Sequence, residues 1–95
     1  MSGERSHPVV EETTINLYYS DRRDAKLFAE EIISALSDRF PSVRGRRFPR
    51  VSVHKIFPFG KWYVKIVFTS YSEEDQTYKD IGEFLREYFK IAFEE

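Results

Sequence analysis

The chain has 95 residues, 41% of them hydrophobic and 17% aromatic, with four glycines, four prolines and no cysteine. Those proportions belong to a folded globule rather than a disordered chain, and the missing thiol excludes disulfides, thiolate zinc sites and cysteine nucleophiles, which fits a reducing, cytoplasmic interior. The net charge is only −1, no apolar run nears the roughly 20 residues of a membrane span, and the first residues lack the apolar stretch of a signal peptide, so no membrane partner is expected.

Residues 1–11, with Ser2, Gly3, Ser6 and Pro8, have no apolar period and read as a flexible tail ahead of one domain over 12–95. From Thr13 to Tyr19 the alternation of Ile15, Leu17 and Tyr19 with Thr14, Asn16 and Tyr18 predicts a strand with one buried face. Ser20 or Asp21 caps the helix that follows, whose Ala25, Phe28, Ala29, Ile32 and Leu36 fall three or four apart on one stripe until Pro41 ends it. A basic loop leads to a strand over Val51 to Phe57. The segment "FPFG" (57–60) supplies a turn, with Pro58 expected at its second position and Gly60 in the left-handed conformation. Trp62, Val64, Ile66 and Phe68 then alternate with Tyr63, Lys65, Val67 and Thr69 in a strand rich enough in β-branched and aromatic residues to be central. A capping-box start, Ser70 with Glu73 or Ser72 with Asp75, opens a second helix carrying Ile81, Phe84, Leu85, Tyr88 and Ala92 almost to the end. The order βαββα predicts a two-layer α+β fold, a three-stranded antiparallel-type sheet with two helices packed on one face. The exposed edges of so small a sheet make a homodimer an expected partner arrangement.

The near-zero net charge hides a polarised chain. Between Arg39 and Lys65 stand eight basic residues and no acid, while the remaining residues carry seven basic and sixteen acidic ones, so +8 faces −9. An anionic partner responds to the local field within a Debye length of roughly 8–10 Å rather than to the total. Arg44, Arg46, Arg47 and Arg50, with Lys55, Lys61 and Lys65 on the hairpin, are therefore candidate phosphate contacts, arginine being suited to bidentate phosphate binding. The bland alternative is a solvated charge run, or one that meets an acidic protein surface. On the sheet face turned from the helices, Asn16, Tyr18, Ser52, His54, Tyr63 and Lys65 fall together, and Tyr18 and Tyr63 interleaved with cations are candidate base-stacking residues. The chain lacks the RNP signature and the fourth strand of an RRM.

Catalytic chemistry finds little footing in the sequence. His7 and His54 have no second ligand at metal spacing, so no metal and no cofactor are expected, and His54 reads as an ordinary strand residue. No Gly-rich phosphate loop exists, and the acids at the helix starts complement helix dipoles. The chain is expected not to be an enzyme.

The segments "SDRRDAKLFAEEI" (20–32), "VSVHKIFPFGKWYVKIVFTS" (51–70) and "YKDIGEFLREYFKIAF" (78–93), in this order, resemble the small Pcc subunit of the KEOPS tRNA-modification complex over about residues 12–93. A thioredoxin-like chain of the same order would carry a cysteine near Tyr19 to Arg22, where none stands. The resemblance implies a non-catalytic subunit that dimerises, docks onto a catalytic protein partner and helps present tRNA. It makes Arg44, Arg46, Arg47 and Arg50 contacts to the tRNA backbone, and Phe89 and Phe93 partner-interface residues. The functional expectation is a dimeric adaptor binding RNA, or an RNA-modifying partner, through the basic loop and hairpin. Its alternatives are a protein-only module recognising an acidic surface and an orphan viral or archaeal protein of the same topology.

Overall fold

The structure, a computed structural model, describes residues 9–93. In chain order it contains β1 (Glu11–Tyr19), α1 (Arg22–Arg39), a single 3-10 turn (Gly45–Arg47), β2 (Arg50–Ile56), β3 (Lys61–Ser70) and α2 (Gln76–Phe93). The strands form a three-stranded antiparallel sheet in the order β1-β3-β2, and with two helices the fold is α+β, as the periodicities predict. The chain gathers into two compact units, Glu12–Thr69 and a second that joins the stretch leading into β1 to the residues from Ser70 onward.

In the first unit the two-residue period of β1 is realised: Thr13, Ile15, Leu17 and Tyr19 are half-buried, and Thr14, Asn16 and Tyr18 are exposed. The strand begins at Glu11, two residues before the expected Thr13. Of the two candidate caps for α1, Asp21 is the one used. Its Oδ1 accepts the Arg23 backbone N–H at 2.8 Å, satisfying a donor that the helix itself leaves open. The helix buries Ala25, Ala29, Ile32 and Leu36, and it stops at Arg39, where the Phe40 N–H still donates to the Leu36 carbonyl and Pro41 ends the pattern. Complete burial of Ile32 and Leu36 stabilises the unit by about 1.5–3 kcal/mol each.

Helix α1 covers one sheet face. The Tyr19 and Phe28 rings lie 5.9 Å apart and the Arg22 guanidinium sits 5.7 Å from the Trp62 ring, which assigns Tyr19 and Trp62 to the helix side. The β2–β3 register then sorts the other residues. Val51 opposite Ile66, Val53 opposite Val64 and Lys55 opposite Trp62 belong to the covered face. Arg50 opposite Val67, Ser52 opposite Lys65, His54 opposite Tyr63 and Ile56 opposite Lys61 belong to the other, because directly opposed residues of an antiparallel pair share a face.

The connecting turn differs from expectation in one respect. The Phe59 N–H donates to the Ile56 carbonyl at 3.1 Å, so Pro58, whose peptide bond with Phe57 is cis, takes the third position rather than the second, and Phe57 belongs to the turn rather than to the strand. Gly60 has φ of +70°, the left-handed conformation that a glycine adopts without a Cβ penalty.

In the second unit, the Val10 N–H donates to the Ser70 carbonyl at 2.9 Å. Helix α2 starts later than either expected capping box. Ser70 still belongs to β3 and donates its hydroxyl to the Ser72 carbonyl at 2.6 Å, inside the turn that precedes the helix. Asp75 is the cap instead: Oδ1 accepts the Tyr78 N–H at 3.1 Å and Oδ2 the Tyr71 N–H at 3.4 Å, so one carboxylate ties the turn to the first helical turn. Ile81 and Leu85, four residues apart, are buried on one stripe, with Phe84 and Tyr88 half-buried beside it. Among the described residues no helix is long and apolar enough to cross a membrane.

Candidate nucleic-acid interface

The sheet face opposite α1 carries a row of rings across all three strands. Tyr63 stands on the central strand β3, with His54 of β2 stacked on it at 5.1 Å and 24° and Tyr18 of β1 tilted toward it at 5.8 Å. Adjacent strands lie about 4.8 Å apart, so three rings in cross-strand register necessarily come within stacking range. Ser52 Oγ, two residues before His54 and therefore on the same face, lies 2.8 Å from His54 Nε2 and fixes the orientation of the imidazole in its stack. Tyr18 is 65% exposed, His54, Asn16 and Ser52 are exposed, and Tyr63 is half-buried between its neighbours.

Cations border this row along the same face. Lys65 follows Tyr63 by two residues on β3, Lys61 precedes it by two, and Arg50 opens β2. Arg50 also reaches across the central strand: its Nη2 lies 3.8 Å from Glu12 Oε2 on β1. Val67, opposite Arg50 in the register, is only 9% exposed although it belongs to the open face. Both side chains of the ion pair are about half exposed, so its contribution lies within about 0–1 kcal/mol and Arg50 keeps most of its capacity for an external anion.

The structure divides the other predicted cations between locations. Arg44, Arg46 and Arg47 occupy the 3-10 turn and the residue before it, all exposed, where Gly45 with φ of +63° lets the Phe48 N–H return to the Gly45 carbonyl at 3.1 Å. This turn leads directly into Arg50, at the end of the sheet opposite the hairpin. The six steps from Arg50 to Ile56 span about 20 Å. Arg50 and Lys61 therefore stand at opposite ends of the open face, with Lys65 and the ring row between them, while the arginine turn lies beyond Arg50, where Arg44, Gly45 and Phe48 line a hollow with Ser37, Phe40 and Pro41 at the end of α1. Lys55 is not on this face: it shares the helix side with Trp62, and its Nζ lies 5.9 Å from the Trp62 ring and 5.4 Å from the Phe57 ring.

The predicted partner-interface residues belong to α2. Phe89 is half-buried and meets the Tyr88 ring edge-on at 6.1 Å, and Phe93 ends the helix with its side chain outside the described residues. Residues 1–8 of the expected flexible tail also lie outside them.

Sequence reasoning missed two features. His54, placed on this face but read as an ordinary strand residue rather than a stacking ring, is a member of the ring row, and counting strand parity from the turn would have set it opposite Tyr63. The other is the hairpin tip, where Phe57 and Phe59 are 78% and 75% exposed. Among the described residues no group of three His, Cys, Asp or Glu side chains is arranged to hold a metal ion. No family model, no curated protein and no solved structure matches this chain.

Proposed function

We propose that this chain is a non-catalytic RNA-binding adaptor that lays a single-stranded segment across its open sheet face. Bases would stack on Tyr18, Tyr63 and His54 while Lys65, Lys61, Arg50 and the arginine turn meet phosphates. The observation that carries this reading is the ring row itself, contiguous across three strands, with Tyr18 and His54 exposed on either side of a half-buried Tyr63, and bordered by cations of the same face. Aromatic platforms combined with cationic borders hold single strands because every base offers a π-face and every nucleotide a charge. The adaptor role and a homodimer belong to the same proposal: β1 and β2 form the sheet edges, and an edge strand is a template for pairing with a second copy. Its setting would be the cytoplasm, where tRNA and other structured RNAs supply the ligand.

The test replaces Arg44, Arg46, Arg47 and Arg50 together by alanine and measures binding to total tRNA and to a ten-nucleotide single strand between 50 and 300 mM salt. Each phosphate contact to a single strand contributes about 0.7 to the slope of log K against log salt, so losing four contacts flattens it by up to about 2.8. Unaltered RNA affinity and slope in a variant that still folds would refute the arginine contacts. Retention of an acidic protein but no RNA by the wild-type chain would replace this reading with a protein-only module.

A further inference from the structure

The hairpin tip has no part in the ring row, yet it holds the two most exposed large apolar side chains of the described residues, Phe57 at 78% and Phe59 at 75%. Monomeric surfaces scatter single apolar residues, but two phenylalanines this exposed, flanking a proline in one turn, call for a partner. The surroundings of the tip state the chemistry of that partner. Lys55 Nζ lies 5.4 Å from the Phe57 ring and 5.9 Å from the Trp62 ring, whose other neighbour is the Arg22 guanidinium at 5.7 Å. Rings thus alternate with cations, a pattern that suits bases and phosphates better than an apolar protein pocket.

The register adds a directional argument. Lys61 projects on the open face and Lys55 on the α1 face, one pair apart, so the ribbon ends in an apolar tip with a cation on each side. Beyond the last pair, Ile56 with Lys61, the four residues 57–60 extend the ribbon by about 7 Å. A single strand has one backbone and would need only the open side. The end of a duplex has two backbones with a flat, apolar base pair between them, and that matches cations on two faces with rings at the centre.

Resting on the RNA reading above, we infer that the preferred ligand is an RNA stem that opens into a single-stranded overhang: Phe57 and Phe59 stack on the terminal base pair, Lys55 and Lys61 each meet one strand, and the overhang continues along Lys61 to Tyr63, Tyr18 and His54. Apolar side chains that stack on or wedge between bases are an established device of nucleic-acid binding, and their energy depends on ring area rather than sequence.

The experiment compares four labelled RNAs by fluorescence anisotropy: an eight-nucleotide single strand, a blunt stem-loop, and the same stem-loop with an eight-nucleotide 3′ or 5′ overhang. One overhang ligand is expected to bind at least about tenfold more tightly than the single strand, the usual worth of one stacked base. In F57A/F59A that advantage should fall to about one while single-strand affinity stays unchanged. The tip lies in a solvent-exposed turn, so the double variant retains the packed core, and circular dichroism verifies this. Equal affinity of the wild-type chain for the single strand and both overhang ligands would overturn the junction inference and leave the sheet-face reading standing. An equal loss of single-strand and junction binding in F57A/F59A would overturn it too, making the tip part of the single-strand path. Absence of binding to all four RNAs would overturn the parent reading and the inference with it.

Discussion

Replacing Tyr63 by alanine separates stacking from electrostatics at the candidate interface. Tyr63 is the middle ring of the row, 5.1 Å from His54 and 5.8 Å from Tyr18, so its removal interrupts the platform rather than shortening it. Stacking of one base on an aromatic side chain contributes about 1–3 kcal/mol, and Y63A should therefore weaken single-strand binding about 5- to 150-fold. The cations are untouched, so the salt slope should stay that of the wild type, giving parallel lines displaced in log K. Tyr63→Phe keeps the ring and should bind within about twofold of wild type. The cost to folding is smaller: the cross-strand pairs that Tyr63 makes are each worth about 0.2–1 kcal/mol, and urea titration measures what is lost. The assay is anisotropy of a labelled ten-nucleotide strand at four salt concentrations. A folded Y63A that binds like wild type would refute the ring row as the base contact, and one that lost affinity only through a shallower slope would show that the tyrosine acts by positioning cations.

Two further predictions concern folding. Asp75→Ala removes the acceptor for both the Tyr78 and Tyr71 N–H groups and should destabilise the chain by about 1–2 kcal/mol in urea unfolding, whereas Asp75→Asn, which keeps Oδ1, should recover at least half of that loss. The Tyr19 hydroxyl has its pKa raised above the ordinary 10.0, first by burial and then by the Glu31 and Asp24 carboxylates. The folded state thus favours the protonated phenol: this contribution is fully present below pH 10 and disappears as the pH rises through the folded pKa. Wild-type stability should fall more steeply above pH 10 than that of Tyr19→Phe, and equal slopes in thermal melts would contradict the assignment.

Much of the fold was legible because strands and helices write burial into the sequence with different periods. Ile15, Leu17 and Tyr19 alternate cleanly with exposed residues in β1, whereas β3 is buried on both faces from Ile66 to Ser70, so its faces follow from its pairing with β2 more than from its own pattern. The start of α2 was not legible, since "SYSEED" offers several side chains able to cap and the choice of Asp75 depends on which carboxylate two separate N–H groups can reach. The turn was half legible: Gly60 had only one use, but the position of Pro58 depends on which residues the hairpin's closing hydrogen bond encloses, and that bond joins Phe59 to Ile56. At the candidate site the parity rule delivered the open face, yet it was not applied to Lys55, an immediate neighbour of His54 and so on the opposite side. His54 fell on the expected face but was not counted among the stacking rings, because its significance comes from the residue across the ladder and not from its own surroundings in the chain.

The strand order also governs when the sheet can exist. β3, the last strand to leave the ribosome, is the one that both others need, because β1 and β2 each pair with it. A nascent chain released only as far as Ile56 possesses α1 and two strands without a common neighbour, and β1 must wait some fifty residues for its hydrogen-bond partner. Such distant pairing slows folding, and the sheet can assemble only once Lys61–Ser70 has emerged.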